Sequence, residues 1–208
     1  MLGQKLPPYH GVKIMNTITH APSLLIALPH LTDSHFRRSV VLVVEHTDEG
    51  AMGFIINRPS KMSIRDLINQ SDIDIPDHIP AWFGGPVGTH NGLVLHNQVE
   101  EGTPTLTASY KDGIFNVSSS TYALRELARI SCLSHTAQGL YPFRFIVGYA
   151  GWGPDQLNQE IKMGAWLQVP IDKEILFNTP WQNMWESALL KIGIDPIGFV
   201  TAPHSYLN

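Results

Sequence analysis

"SVVLVVEHTDEGAMGFIIN", residues 39–57, sets two apolar runs on either side of an acidic turn. The first run, 39–46, is crowded with valine and predicts a strand covered on both faces. β-Branched side chains suit a pleated surface, and an unbroken apolar run leaves no face for water. "TDEG" reverses the chain, and 51–57 reads as the antiparallel neighbour. Pro59 then predicts a stop, since proline donates nothing to a central ladder. A protein built outward from such a hairpin has an antiparallel sheet at its centre.

Upstream, "SLLIAL" at 23–28 lies between Pro22 and Pro29 and predicts another strand. Residues 1–20, interrupted by Pro7, Pro8 and Gly11, read as a loose arm. Downstream, Ser63 followed by Asp66 resembles an N-cap with an acid in the first turn, opening a short helix to about residue 69. An acidic, proline-broken surface loop follows over 71–80. "AWFGG" and "GLVLH" read as short strands on either side of a "PVGTHN" loop, and "TLTASY" and "GIFNVSSS" as a hairpin around Lys111-Asp112-Gly113. Leu124, Leu127 and Ala128 fall on one face of a helix over 121–132, capped by Ser120 or Thr121.

"FRFIVGYAG" resumes strand character. "PDQLNQEI" is helical, with Pro154 at the first helical position and Asp155 in the positive first turn, and Gly164 ends it. "AWLQV" is a further strand. A helix over 181–191 follows Pro180, with Trp185, Ala188, Leu189 and Ile192 as its apolar stripe and Gly193 as terminator. Residues 197–208 form an irregular tail. No repeat or composition break marks a boundary. The predicted architecture is α/β, of the α+β kind: one compact domain over 1–208, with a mixed, largely antiparallel sheet or partial barrel flanked by helices.

Composition bounds the function. A chain of 208 residues buries roughly 70% of the surface it exposes when unfolded, so no metal or disulfide is needed to hold it. Lys plus Arg is 14 and Asp plus Glu is 18, a formal −4 with no basic cluster beyond Arg37-Arg38, which disfavours nucleic acid. Charged residues are 15%, against about 25% in an ordinary soluble domain, and such a surface is compatible with a partner or a homo-oligomer. Cys132 is the single cysteine, so a reducing compartment is the simpler setting. The N-terminus lacks a signal-peptide pattern and no apolar run approaches the roughly 18 residues of a bilayer span. The expectation is a cytoplasmic protein without a membrane partner.

Three stretches invite a ligand. "GYAGWGPDQL", 148–157, could bring backbone amides at Gly148, Gly151 and Gly153 to a phosphate or carboxylate. It matches neither the dinucleotide fingerprint nor the P-loop, and Asp155 would repel the anion. A strand-to-helix corner under Tyr149 or Trp152 explains it as well. "FGGPVGTHNG" joins Gly84 and Gly85, which permit close backbone approach, to His90 and Asn91, and also fits a plain surface loop. In Asn57-Arg58-Pro59 the arginine follows a strand, where it could grip a carboxylate or phosphate with two parallel bonds. It could equally pair with Asp33, Glu45 or Asp66 and pin a loop. The candidate ligand contacts are therefore Asn57, Arg58, Gly84, Gly85, Gly151, Trp152 and Gly153.

Other groups carry less. Glu45, His46, Asp48 and Glu49 have neither EF-hand nor HExxH spacing, and strand neighbours Glu45 and His46 point to opposite faces, so an acidic turn is expected and no metal. Cys132 and His135 lack a third partner, and Cys132 reads as a buried core cysteine. Ser23, Ser39 and Ser120 sit in no nucleophile elbow, and His96 closes a strand. No catalytic set assembles and no cofactor is implied.

"LLIALPHLTDSHFRRSVVLVVEHTDEGAMGFIINRP" at 24–59, "FGGPV" at 83–87, "LVLH" at 93–96 and "GYAGWGPDQLNQEI" at 148–161 together resemble the AlgH/YqgE-like family of bacterial proteins. Leu176-Phe177, Trp185 and Gly193-Ile194-Asp195 extend the likeness, which spans 22 to about 196. Asp155 stands where the family commonly has glycine. The resemblance implies a compact α/β fold unlike the familiar enzyme superfolds, in a largely uncharacterised group. One branch is linked by name to regulation of alginate production, and from there to the label of transcriptional regulator. The leading expectation is a non-enzymatic protein acting through a protein or small-molecule contact, with a regulatory role. The alternatives are an enzyme with a cleft around Arg58 and the glycine loops, and a transcriptional regulator that binds DNA directly.

Overall fold

The hairpin at 39–57 forms as its sequence requires. In a computed structural model of the chain, which describes residues 21–67, 80–97, 106–111, 113–118 and 143–196, β2 (Val40–Thr47) and β3 (Gly50–Ile55) pair antiparallel from Val41↔Ile55 to Thr47↔Gly50. A bulge between Val43 and Glu45 shifts the register, and beyond it Glu45 is exposed while His46 is buried. Thr47 stabilises the turn by accepting the amide of Glu49 on its Oγ at 3.2 Å.

The remaining strands are β1 (Ser23–Ala27), β4 (Pro59–Ser63), β5 (Pro80–Phe83), β6 (Val87–His96), β7 (Leu106–Tyr110), β8 (Gly113–Ser118), β9 (Phe143–Trp152) and β10 (Trp166–Val169). They assemble in the order β10-β1-β2-β3-β9-β6-β8-β7, with β5 joining β9 and β4 joining β5. The pairing of β5 with β9 is parallel and the other pairings are antiparallel. Strand β9 organises the whole. Its last residues pair with β3 at Ala51↔Trp152, its middle with β5 at Trp82↔Ile146, and its other edge carries β6. Changing partners along one strand curls the mixed sheet into a partial barrel, flanked by a few helices.

Alternation along β1 and β2 explains why both faces are apolar. Leu24, Ile26, Val40 and Leu42 face a core shared with α3 (Trp181–Lys191), where Met184, Trp185, Ala188 and Leu189 are buried. Leu25, Ala27, Val41 and Val43 face a second core with Trp152, Trp166 and Leu157 of α2 (Gln156–Lys162). Each fully buried Val or Leu contributes about 1.5–3 kcal/mol of burial free energy, so covering both faces is what fixes this register. α3 ends where Gly193 takes a φ of 81°, letting the Gly193 amide reach Leu190 O and the Ile194 amide reach Leu189 O, each at 3.0 Å.

Four expectations are corrected. "PVGTHN" is not a loop: Val87–His96 is one strand, which pairs with β9 at Val87 and again from Gly92 to His96, with the residues between out of register. β3 does stop ahead of Pro59, at Ile55, but the proline is itself in a strand: it is the first residue of β4, which pairs with β5 alone, a position where a missing amide donor is tolerated. Pro154 and Asp155 precede α2, with Asp155 its N-cap in a left-handed conformation at φ 59°. Ile192, placed in the apolar stripe of α3, is 37% exposed, and Met184 takes the buried place. Helix α1 (Ile64–Leu67) begins as expected, with Ser63 and Asp66 exchanging bonds: Ser63 N to Asp66 Oδ2 at 2.8 Å and Asp66 N to Ser63 Oγ at 3.2 Å. The arm at 1–20, the loop over 71–79, the helix over 121–132, Cys132 with His135, and the tail at 197–208 lie outside the described residues.

Candidate functional site

The chain between β1 and β2 makes a tight turn over 33–38. Asp33 starts it as a helix cap would, accepting the amides of His35 and Phe36 on Oδ1 at 2.8 and 3.2 Å. The carbonyls at the far end of the turn need donors, and Arg58 supplies them. Its Nη1 donates to Ser34 O at 3.1 Å and to His35 O, and its Nη2 donates to Arg37 O at 2.9 Å. Arg58 thus pins a loop, through carbonyls rather than through Asp33, Glu45 or Asp66. Burial, then the neighbouring charge of Arg37, hold the Arg58 guanidinium below its usual pKa, with Asp33 opposing them.

Asn57 fixes the exit of the same turn. Its Oδ1 accepts the Val40 amide and its Nδ2 donates to Arg38 O, both at 2.9 Å. Arg38 between them has a φ of 54°, a conformation that non-glycine residues seldom hold unless held. Its guanidinium lies 5.2 Å from the ring centroid of Trp185, a cation–π contact. The Trp185 indole in turn donates to Ala27 O of β1 at 2.7 Å, fastening α3 to the sheet.

These contacts leave a cleft of about 500 Å³. Arg37, Arg38, Asn57 and Arg58 form one wall; Trp181, Gln182, Trp185 and Glu186 of α3 form the other. Among the described residues, none of the three guanidinium groups has a carboxylate oxygen within 4.0 Å. Three like charges therefore line one cavity, whose single carboxylate, Glu186, is paired to none of them.

The predicted glycines lie elsewhere. Gly84 bridges β3 and β9, donating to Val147 O and accepting the Ile55 amide, each at 2.9 Å. A Cβ on Gly85, whose φ is 151°, would fall well inside 3.0 Å of Tyr149 and Ala150 backbone atoms, and one on Gly148 would overlap Gly85 O. Backbone crosses backbone here, and glycine is what permits it. At the corner after β9, the Gly153 amide donates to Gln156 Oε1 at 3.0 Å, and Gln156 Nε2 donates to Glu160 Oε1 at 2.9 Å. Glu160 Oε2 accepts the indoles of both Trp152 and Trp166, at 3.0 and 2.7 Å. The Gly153 amide is thus already satisfied. The Asp155 carboxyl, held below its usual pKa by the side-chain amides of Gln159 and Asn158, adds negative charge there.

One element ties the three stretches together without merging them. The 33–38 turn is pinned by Arg58, stacks His35 on Phe83 next to Gly84 at 6.0 Å, and sets Phe36 against Trp152 and Trp166 at 6.4 and 5.6 Å. The cleft takes in Asn57 and Arg58, and its lining does not include Gly84, Gly85, Gly151, Trp152 or Gly153. Two features escaped sequence reading. His96 Nε2 and Ser118 Oγ lie 3.2 Å apart, both sealed from solvent, which is core chemistry rather than an accessible nucleophile and base. Arg144 is buried beside Trp82 at 5.2 Å and donates to Leu176 O at 2.8 Å, its pKa pushed down by burial to about 10. The signal for it was an arginine inside "FRFIV". Among the described residues no three His, Cys, Asp or Glu side chains gather as metal ligands, and no helix is long and apolar enough to cross a membrane.

Comparison with known proteins agrees with this frame. The AlgH-like family model matches residues 24–197. A UPF0301 protein of Burkholderia vietnamiensis is 38% identical over 177 residues, covering 82% of this chain and 87% of the relative. A UPF0301 protein of Burkholderia thailandensis is 35% identical over 189 residues, covering 88% and 93%. The solution structure of the AlgH protein from Pseudomonas aeruginosa superimposes with a TM-score of 0.65 at 30% identity, covering 94% of this chain and all of that one. A crystal structure of a Corynebacterium diphtheriae protein shares the fold at 19% identity and a TM-score of 0.61, covering 82% of this chain and 85% of that one. On the match over 24–197 and the identity to these relatives, the chain belongs to the AlgH-like family of UPF0301 proteins.

Proposed function

We propose that this is a cytoplasmic binding protein with a regulatory role, which holds an anionic ligand, free or borne by a partner protein, in the cleft over Asn57 and Arg58. One observation carries the reading: Arg37, Arg38 and Arg58 line one cavity with no carboxylate paired to any of them. Cations gathered in this way repel one another in the empty protein and are relieved by an anion. Regulation follows from the double use of Arg58, which holds the 33–38 turn and also faces the cleft, so that occupancy and loop position share a residue. Gly84, Gly85, Gly151 and Gly153 belong to the frame in this reading, and Trp152 to the seat of the loop. A duplex nucleic acid suits the site poorly, since the chain carries a formal −4.

Amide NMR spectra recorded during addition of phosphate, sulfate or citrate test the proposal. Saturable shifts at Arg37, Arg38 and Trp181 are expected, with affinity about tenfold weaker in Arg37→Ala. Arg37 is the clean site, being exposed, whereas Arg58→Lys also removes bonds that hold the turn. Shifts scattered over the surface and indifferent to Arg37→Ala would refute it.

A further inference from the structure

The two walls of the cleft differ in chemistry, and the difference narrows the ligand. Three arginines and one carboxylate residue, Glu186, line the cleft, leaving a formal surplus of two positive charges. A carboxylate ligand would answer half of that surplus. A phosphate monoester, with a charge of about −1.5 to −2 at pH 7, answers most of it.

The donor count points the same way. A guanidinium has five N–H groups. In Arg58 both on Nη1 and one on Nη2 go to the carbonyls of Ser34, His35 and Arg37. The Nε–H and one Nη2–H remain as donors for an oxyanion. Arg37 and Arg38 can add to them. On the opposite wall the half-buried Trp181 shares the lining with Gln182 and Glu186, an aromatic side chain together with a donor and an acceptor. That wall suits an organic body with hydroxyl groups. At about 500 Å³ the cleft falls within the roughly 300–1,000 Å³ of small-molecule sites.

We infer that the cleft takes a small phosphate monoester on a hydroxyl-bearing body, the chemistry shared by sugar phosphates and nucleoside monophosphates. This rests on the anion-binding reading above. Calorimetric titration of the full chain with glucose 6-phosphate, AMP, glucuronate and inorganic phosphate tests it. At least one monoester is expected to bind about tenfold or more tighter than glucuronate and inorganic phosphate, and which one prevails identifies the source. Arg37→Ala and Trp181→Ala should each weaken it about tenfold, with Trp181→Phe retaining most of the affinity should the alanine variant fail to fold. Glucuronate binding as tightly as the monoesters would overturn the phosphate assignment while leaving an anion site. Inorganic phosphate binding as tightly would overturn the organic body. Absence of binding by all four below about 10 mM would remove the anion site as well.

Discussion

Replacing Gly85 and Gly153 by alanine separates frame from ligand wall, because the two glycines face opposite situations in one neighbourhood. At Gly85 the φ of 151° lies where side chains are strained, and the new methyl would meet Tyr149 and Ala150 backbone atoms well inside 3.0 Å. Those atoms cannot retreat, since Tyr149 pairs with Val87 and Ala150 with Gly53. Overpacking costs about 1–3 kcal/mol and a disfavoured backbone region about 1–3 kcal/mol more, so a loss near 4 kcal/mol is expected. In a chain of this size that lowers the melting temperature by roughly 8–16 °C. At Gly153 the nearest atom to an added Cβ is Gln156 Oε1 at 3.8 Å, an ordinary contact, and the change should stay within about 0.5 kcal/mol. Thermal melts and urea titrations followed by tryptophan emission measure both. Gly85→Ala melting within about 1 °C of the parent would refute the crossing-backbone argument. Gly153→Ala that melts normally but loses phosphate or AMP binding would return the 148–157 corner to the ligand site.

Glu160→Gln is expected to cost about 1.5–3 kcal/mol, because one carboxylate oxygen accepts the Trp152 and Trp166 indoles and the other accepts Gln156, a set that an amide cannot reproduce. A lower urea midpoint with altered tryptophan emission would show it, and an unchanged midpoint would contradict it. Asp172 gives a pH signature. Burial by itself would raise its pKa, but the hydrogen bond from Lys191, the Ile175 amide, the Lys191 charge and the Glu174 amide together lower it below the usual carboxylate value. Its folded pKa thus lies below the unfolded value of about 3.9, so its contribution is full above that pH and fades as pH falls through the folded value. Stability curves of the parent and Asp172→Asn should converge on acidification. Parallel curves would exclude the contribution.

What the sequence made legible was whatever one segment decides for itself. The valine-rich run of β2 needed only its own composition, and the reciprocal Ser63–Asp66 cap only a spacing of three. Where partners decide, local signals misled. Val87–His96 carries two glycines, a threonine and an asparagine, yet is one strand, because pairing with β9 at Val87 and from Gly92 to His96 holds both ends of the stretch between. The contacts of Arg58 were illegible for a different reason. Its acceptors are main-chain carbonyls 21 to 24 positions upstream, and a carbonyl has no letter in a sequence. Arg37-Arg38 was visible as a pair, but only as too small a patch for nucleic acid, and Trp185 was visible only as core.

Asn57 and Arg58 act together on the 33–38 turn, and the reason is geometric rather than compositional. A left-handed arginine at position 38 is costly by roughly 1–3 kcal/mol and persists only where its surroundings over-determine it. The two bonds from Asn57 to Arg38 O and Val40 N, and the carbonyls gathered by Arg58, supply that determination. With the turn so held, Arg38 lies over Trp185, and Trp185 is itself fixed to β1. The cationic wall and the indole wall are therefore set at a fixed distance before any ligand arrives. On the anion-binding proposal, a site arranged in this way would lose little conformational entropy on binding. On the same proposal the 33–38 turn would report occupancy, since Arg58 both holds it and lines the cleft.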